Sequence, residues 1–420
     1  VDRRGFLVRT GLALAAGGAS WRAAEAWVAE AKPLAPRSWS SIRGEFLLDP
    51  SYIHFGLLYL TSHPTSVRDA IKTHRGGLDH NPVRYIQENS SQAEARVLAA
   101  AAEYLGASTG DIALTDSTTM GLGLLYNGID LRAGQEALTT EHDFFATHES
   151  LQLKAGRSGA TVRRIRLYQE PENASEDAIV DALLGAVAAN TRVVAITWVH
   201  SSSGVKLPVR RIADGLRELN AAREGGDRAL LCVDGVHGIG VENVTMPGLG
   251  CDFFVAGSHK WLFGPRGTGF VWGDPTAWPY AGPTIPSFGG GGYGAANTPG
   301  GFHSFEHRWA LGEAFRFHLG LGKANVEAHI HTLARRLKNG LAAMEHVTLK
   351  TPLADSLSAG IVCFMVDGMS ASGVVTALRN RRIIATVTPY SPSYARLAPG
   401  FVNTEDEVDK VLDAIQSLGA

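Results

Sequence analysis

Along the middle of the chain, between about residues 90 and 300, segments whose apolar positions recur at helical spacing alternate with short unbroken runs rich in Val, Ile, Leu and Phe. Alternation of this kind predicts a largely parallel sheet wrapped by helices. "SSQAEARVLAAAAEYLG" is a helix with an Ala-Leu-Val face, ended by Gly106. "DIALTDSTTMGLGLLYNG" reads as a strand, a turn of hydroxyl residues and a second helix. "TRVVAITWVHSSSG", "RALLCVDGVHGIG" and "CDFFVAGSHKW" are buried strands, each leaving its apolar run through a cluster of polar residues. Open α/β sheets bind their ligands at the carboxyl ends of the strands, so these polar exits mark the first functional signal.

Beyond this region the pattern changes. Residues 286–303, "PSFGGGGYGAANTPGGFH", are glycine-rich and aperiodic, which on composition alone is a flexible linker. "HRWALGEAFRFHLGLGKANVEAHIHTLARRLKNGLAAM" is long and helical with glycine interruptions. The tail shows strand "AGIVCFMV", helix "SASGVVTALRN", strand "RIIATV" and a last helix opened by Thr404, with Glu407 at the capping-box position. The expected organisation is α/β in four parts. A leader covers residues 1–31, and a segment over 32–60 packs with the small domain. A large domain spans 61–305, and a connecting helix with a smaller C-terminal α+β domain spans 306–420.

With 420 residues, 45% of them hydrophobic and 19% charged, the chain can bury a core of that size. A formal net charge of −2 gives no electrostatic footprint for nucleic acid or an anionic membrane surface, which leaves a small-molecule partner. Cys232, Cys251 and Cys363 stand singly in apolar stretches, without metal-ligand or disulfide spacing, and read as buried thiols. The N-terminus departs from the rest. In "DRRGFLVRTGLALAAGGAS" the paired Arg3 and Arg4 precede Phe6, Leu7 and an apolar run too brief to span a bilayer. This has the form of a bacterial twin-arginine export signal, with cleavage candidates at Ala24–Ala26 and Ala29–Ala31. The expectation is export by the twin-arginine translocation machinery to the periplasm, without a stable membrane anchor. The alternative is a basic N-terminus that caps a first helix.

Four strand exits carry ionisable groups: His142 in "TTEHDFF", His200 in "TWVHSSSG", Asp234 with His237 in "CVDGVHG", and His259 with Lys260 in "GSHKW". A lysine desolvated by Trp261 and Phe263 has its ammonium disfavoured and becomes an amine nucleophile. Asp234, closing an apolar strand, is an expensive buried charge unless it meets a cation. Pyridoxal 5'-phosphate answers both demands, because its aldehyde condenses with a lysine and its protonated ring nitrogen pairs with a carboxylate. "DSTTMG" ahead of a helix offers a phosphate backbone N–H groups, the helix dipole and the hydroxyls of Thr118 and Thr119. Gly264, Gly267 and Gly269 let the chain turn away from Lys260 without crowding it. "HSFEH", residues 303–307, fits the H-x-x-E-H pattern of zinc proteases. It emerges from a glycine-rich loop, whereas that chemistry needs a helix to set both histidines on one face, so it reads as a decoy and no metal is expected.

Taken in order, "TDSTTMG", "EHDF", "VHSSSG", "VDGVHGIG", "SHKWLFGPRGTG" and "YARLAPGFVNTEDEVD" resemble the class V aminotransferase family of fold-type I pyridoxal-phosphate enzymes, and within it the isopenicillin N epimerase-like branch. The resemblance runs from about residue 40 to the C-terminus. It implies a mostly parallel seven-stranded sheet between helices and a homodimer with the active site at the interface. It makes Lys260 the lysine that binds the cofactor and Asp234 the partner of the ring nitrogen. His142 would stack on the ring face and His237 would sit by the ring hydroxyl. Thr118, Thr119, Ser258 and His259 are assigned to the phosphate, and Arg396 to a substrate carboxylate, a task suited to a bidentate guanidinium. His200 stands at a cofactor-side position that is often Asn in cysteine desulfurases, and Gly257 where many of them place Ser or Thr for the phosphate. The glycine-rich loop gains a second reading as a lid over the partner's cofactor.

The activity so implied is chemistry at the amino group or α-carbon of an amino acid, free or peptide-linked. An aminotransferase-like reaction leads, with epimerase or C–S and β-lyase as alternatives; a zinc metalloprotease or a fold retained only for binding are more distant readings. Cysteine desulfuration is disfavoured, since no cysteine lies in the loop after "RRIIATV". Among exported relatives the chain is most similar to periplasmic enzymes of siderophore (pyoverdine) maturation, which implies a glutamate side group as the site of reaction.

Overall fold

In the computed structural model, which describes residues 38–419, the unbroken apolar runs become strands. β1 (Ile53–His54) lies apart. β2 (Ile112–Thr115), β3 (Glu136–Thr140), β4 (Thr161–Ile165), β5 (Thr191–Thr197), β6 (Leu230–Asp234), β7 (Phe253–Gly257) and β8 (Gly269–Gly273) form one sheet in the order β2-β8-β7-β6-β5-β3-β4. Neighbours from β7 through β4 pair parallel, and β8 runs antiparallel between β2 and β7. Every residue of β5, β6 and β7 is buried, because a parallel sheet is covered on both faces. The polar exits of these strands therefore share one edge of the sheet.

The helices follow from their apolar stripes. α1 (Thr65–His80) and α2 (Pro82–Leu105) pack on α5 (Phe305–Leu321), while α3 (Thr118–Gly128) and α4 (Phe145–Ser158) lie against each other beside the sheet. The long helical stretch of the sequence is two helices, since Gly322, at φ 82°, separates α5 from α6 (Lys323–Ala342). The glycine-rich region is also more structured than its composition suggests. Tyr293–Asn297 form a helical turn against β2, where a Cβ on Gly294 would come within 2.3 Å of the Ile112 carbonyl oxygen. Thr298 Oγ1 accepts the Leu114 N–H at 3.0 Å and anchors the same segment.

The C-terminal part holds β9 (Val347–Leu349), β10 (Val362–Val366), α7 (Ala371–Asn380), β11 (Ile383–Ile384), β12 (Thr386–Val387), β13 (Ala395–Leu397) and α8 (Glu405–Gln416). β12-β13-β10-β9 make an antiparallel sheet with its own apolar core. The single strand expected over "RIIATV" is divided at Ala385: β11 pairs with β1, and β12 with β13. Pairing of β1 with β11 ties the segment before residue 60 to this small domain, as do the Arg43–Glu407 ion pair and the stacking of Trp39 on His329 at 4.2 Å. Thr404 and Glu407 form the capping box that opens α8. The expected export signal over residues 1–31 lies outside the described residues. No described helix is long and apolar enough to cross a membrane.

Candidate active site

Register builds the site. Thr197 at the end of β5 lies opposite Asp234 at the end of β6, and Asp234 lies opposite Val255 in β7. The residues that follow these strands, including His200, His237, His259 and Lys260, consequently face a common crevice. Asp234 is 2% exposed and accepts the Val236 N–H at 3.1 Å, but no described cation pairs with it. Burial pushes its carboxyl up to about 6, against the opposing pull of that N–H and of Lys260. The Lys260 amine, 3.1 Å from His237 Nε2, is brought down from 10.5 to about 8 by burial, with Asp234 opposing and Arg396 adding to the fall. A carboxylate short of a cation thus faces an amine poised to be uncharged.

Next to the amine is a cradle. The Gly257 N–H donates to Thr118 Oγ1 at 2.8 Å and joins the N-terminus of α3 to the lysine loop. A Cβ on Gly257 would lie 2.9 Å from Thr118 Oγ1 and 3.1 Å from the His259 ring. The space left by glycine is therefore lined by a hydroxyl and an imidazole, with the N-terminus of α3 joined to it through Thr118, a ready site for a phosphate. Ser117 caps this helix through the Met120 N–H, and Thr119 is the more exposed of the two threonines. Burial holds the His259 ring down at about 4, so it meets an anion as a neutral donor. Glycine at position 257, where the resemblance places Ser or Thr in many desulfurases, leaves room that a side chain would take only by displacing Thr118 and His259.

Ser258 corrects the sequence expectation. The chain alternates beyond β7, so its side chain points opposite to the Gly257 face. Its hydroxyl is held 3.0 Å from the Pro265 carbonyl and 2.5 Å from Thr268 Oγ1, fully buried. It closes the loop that carries Lys260 and is not directed at the phosphate cradle. The same loop turns through Phe263, at φ 55°, rather than through Gly264. Phe263 packs on Phe46 and Phe401 at ring distances of 5.1 and 4.6 Å, which holds that conformation.

His142 stacks on Tyr168 with ring centroids 3.9 Å apart and accepts the Leu167 N–H at Nε2. Burial holds the imidazole down at about 3, so it is a flat neutral surface. His200 is fully buried, with Nδ1 2.8 Å from the Tyr168 hydroxyl and Nε2, 4.0 Å from Asp143 Oδ1, without a hydrogen-bond partner among the described residues. Asp143 pins this corner by accepting the Thr139 hydroxyl and the N–H groups of Thr140 and Thr197. Arg396, from β13 of the small domain, is 4% exposed. It donates from Nη1 to the Ser201 carbonyl at 2.7 Å and from Nε to Thr386 at 2.9 Å, and no described carboxylate pairs with it. Ser201 in turn shares a 2.7 Å hydrogen bond with Tyr390.

Tyr168, Asp143 and Tyr390 were not foreseen from sequence. Tyr168 and Tyr390 lie in loops without a motif, whereas Asp143 stands beside His142 in "EHDF", where the adjacent histidine is the stronger chemical signal. The zinc-protease pattern dissolves in three dimensions. His303 precedes α5, and His307, in its first turn, gives Nδ1 to the Arg266 carbonyl at 2.9 Å. Among the described residues the acidic and histidine side chains close enough to share a cation are Glu242, Glu327 and His331, where the Lys206 ammonium already meets Glu242 at 2.6 Å.

A cradle for a dianion, a carboxylate for a ring cation, an amine nucleophile and a flat imidazole match the parts of pyridoxal 5'-phosphate. Comparison with known proteins agrees. The sequence model of the aminotransferase class-V family matches residues 61–411. The chain is 26% identical to isopenicillin N epimerase of Streptomyces clavuligerus, over 92% of this chain and 99% of that one. It is 24% identical to a probable cysteine desulfurase of Vibrio cholerae, over 84% and 90% of the two chains. In fold it is similar to a mutant of C-DES with glycine covalently linked to its PLP cofactor, at a TM-score of 0.81 and 22% identity over 89% of this chain and 98% of that one. An apo cysteine desulfurase from Thermococcus onnurineus follows at 0.79 and 19%, over 92% and 99%.

Proposed function

The chain belongs to the aminotransferase class V family, and from that premise and the geometry of the site we propose that it carries out amine chemistry at the α-carbon of an amino acid, free or peptide-linked. Pyridoxal 5'-phosphate is its cofactor, supplying when bound an aldehyde that condenses with amines and a ring that stabilises negative charge at the α-carbon. Thr118, the α3 N-terminus and His259 would hold its phosphate, Asp234 its ring nitrogen, His142 its face and Lys260 its aldehyde carbon. Lys260, uncharged when desolvated, then serves as the base that moves the substrate's α-proton.

One observation carries the substrate class. Arg396 is a guanidinium buried beside Lys260 with no carboxylate partner among the described residues, and an unpaired buried cation calls for an anionic ligand. A substrate carboxylate fulfils that demand and sets the α-carbon toward the amine. Transamination is the leading reaction. Epimerisation is the second reading, supported by the full-length similarity to isopenicillin N epimerases. Desulfuration through a cysteine acceptor is disfavoured, because Cys232, Cys251 and Cys363 are all buried, Cys363 with its thiol pushed up to about 12.

The reading extends to assembly and place of action: a homodimer, exported to the periplasm by the twin-arginine route, with the glycine-rich segment as a lid at the partner's site. Exposed Phe288, Tyr293 and Phe302 within that segment support the dimer face, and Arg3, Arg4 and the apolar run after them support export. The test is a panel of free and peptide-linked amino acids, including siderophore-linked glutamate, incubated with the yellow holoenzyme. Conversion of the bound cofactor to its amine form with an oxo-acid product supports transamination, and racemised substrate with unchanged cofactor supports epimerisation. Lys260→Ala should abolish the visible absorbance of lysine-bound cofactor; a dialysed variant that retains it would sink the assignment.

A further inference from the structure

Lys260 has a neighbour whose protonation is dictated from behind. His237 is 4% exposed and Trp261 1% exposed. The Trp261 indole N–H donates to His237 Nδ1 at 3.3 Å, and His237 Nε2 lies 3.1 Å from Lys260 Nζ. An indole nitrogen can only donate, so Nδ1 must be the bare nitrogen of the imidazole. A neutral ring that is bare at Nδ1 carries its proton on Nε2, which makes His237 the donor toward lysine. An amine can accept that hydrogen bond only when it is uncharged. The opposite arrangement, an ammonium donating to Nε2, would require a proton on Nδ1 and set it against the indole N–H.

The ionisable groups around the pair are Asp234, which favours the ammonium, Arg396, which disfavours it, and His259. Burial, with the positive charge of Arg396 beside it, keeps His237 from becoming a cation. We propose that Trp261 is a positioning residue that locks His237 as its Nε2–H tautomer, so that His237 favours the uncharged form of the Lys260 amine, the form that captures the cofactor's aldehyde. After capture the same N–H remains available as a fixed donor to the bound cofactor, and His237 has no role as a base. The inference rests on Lys260 being the lysine that binds the cofactor.

The test follows capture of pyridoxal phosphate by full-length protein stripped of cofactor, reading the rate at which visible absorbance grows between about pH 6 and 10. Wild type should show a midpoint near 8. In Trp261→Phe the ring is free to place its proton on Nδ1 and accept from the ammonium. The midpoint should rise by about one unit or more, slowing capture at pH 7 about tenfold while leaving the limiting rate at high pH unchanged. A midpoint that stays put, or a slowing that persists at high pH, overturns the proposal. Nitrogen spectra of wild-type protein with labelled histidine, assigned by comparison with His237→Gln, decide the matter independently of how Trp261→Phe folds. They should show His237 neutral with its proton on Nε2, and a proton on Nδ1 or a cationic ring refutes it. Failure of the underlying assignment looks different, as Lys260→Ala would then still develop the absorbance.

Discussion

Removing the charge of Asp234 should stabilise the protein when the cofactor is absent and destabilise its complex with the cofactor. The carboxyl titrates at about 6 in the fold against 3.8 unperturbed, with burial as the main cause. Between those values the folded state holds a proton that the unfolded chain has released, so stability falls as pH rises through that window. Above it the full cost applies. A difference of about 2 in pKa corresponds to about 3 kcal/mol. Asn in place of Asp keeps an oxygen for the Val236 N–H and carries no charge. Stripped Asp234→Asn should therefore exceed stripped wild type by up to about 3 kcal/mol at pH 8. With an unfolding entropy of about 0.8 kcal/mol/K for a chain this long, that is a rise of about 4 °C in Tm. At pH 4 the difference should vanish, because wild-type Asp234 is then neutral. Added pyridoxal phosphate should raise the Tm of wild type far more than that of the variant, since the cation for which the carboxylate is kept is the ring nitrogen. Thermal melts of both proteins, stripped and loaded, across that pH range provide the measurement. A stripped variant no more stable than wild type at pH 8, or a gain equal at every pH, refutes the reasoning.

Three further outcomes are expected. Arg396→Lys keeps the charge but loses the planar fork, and kcat/KM for the best substrate of the panel should fall about 10- to 100-fold, mostly through KM, with cofactor absorbance unchanged. Gly257→Ser should weaken cofactor binding at least about tenfold in a fluorescence titration, by intruding on Thr118 and His259, whereas Ser258→Ala should leave affinity intact and lower stability by about 1–2 kcal/mol through its lost loop bonds. His318, fully buried among Phe263, Phe317 and Phe401 without a well-formed hydrogen bond at either ring nitrogen, is held by burial at about 3. The unfolded chain takes up that proton first, so stability is complete above the unperturbed value of 6.5 and drains away as pH falls. By pH 5 the loss is about 2 kcal/mol. His318→Phe should therefore unfold later than wild type by a margin that is larger at pH 5 than at pH 8, as read from denaturant midpoints at the two pH values.

The seven-stranded sheet, the helix after "DSTTMG" and the cluster of Lys260, Asp234, His237, His142 and His200 were open to a reading from sequence. Parallel strands end on the same edge, so polar residues that terminate apolar runs meet there whatever the order of the strands. That order, with β8 antiparallel between β2 and β7, leaves no trace in local pattern, because β8 reaches β2 through a pairing between residues more than a hundred positions apart. The division of "RIIATV" between two sheets is of the same kind, since its first half is drawn off by the distant β1 while its second half pairs with the nearby β13.

Ser258 and Gly257 mark the boundary of what residue type can say. A serine beside the cofactor's lysine is chemically suited to a phosphate, and a glycine there looks like a loss. Strand alternation reverses both judgements: it turns the hydroxyl into the loop and makes the bare position the opening of the cradle. Tyr168, Asp143 and Trp261 belong to a further layer that acts on other side chains by fixing a ring, a loop or a tautomer. Such a role depends on which atom of a histidine a donor meets, and no spacing in the chain encodes that. Residues that touch the reactants are thus recognisable from their chemistry, while those that set the state of Lys260 become visible only when Trp261, His237 and the amine are seen in line.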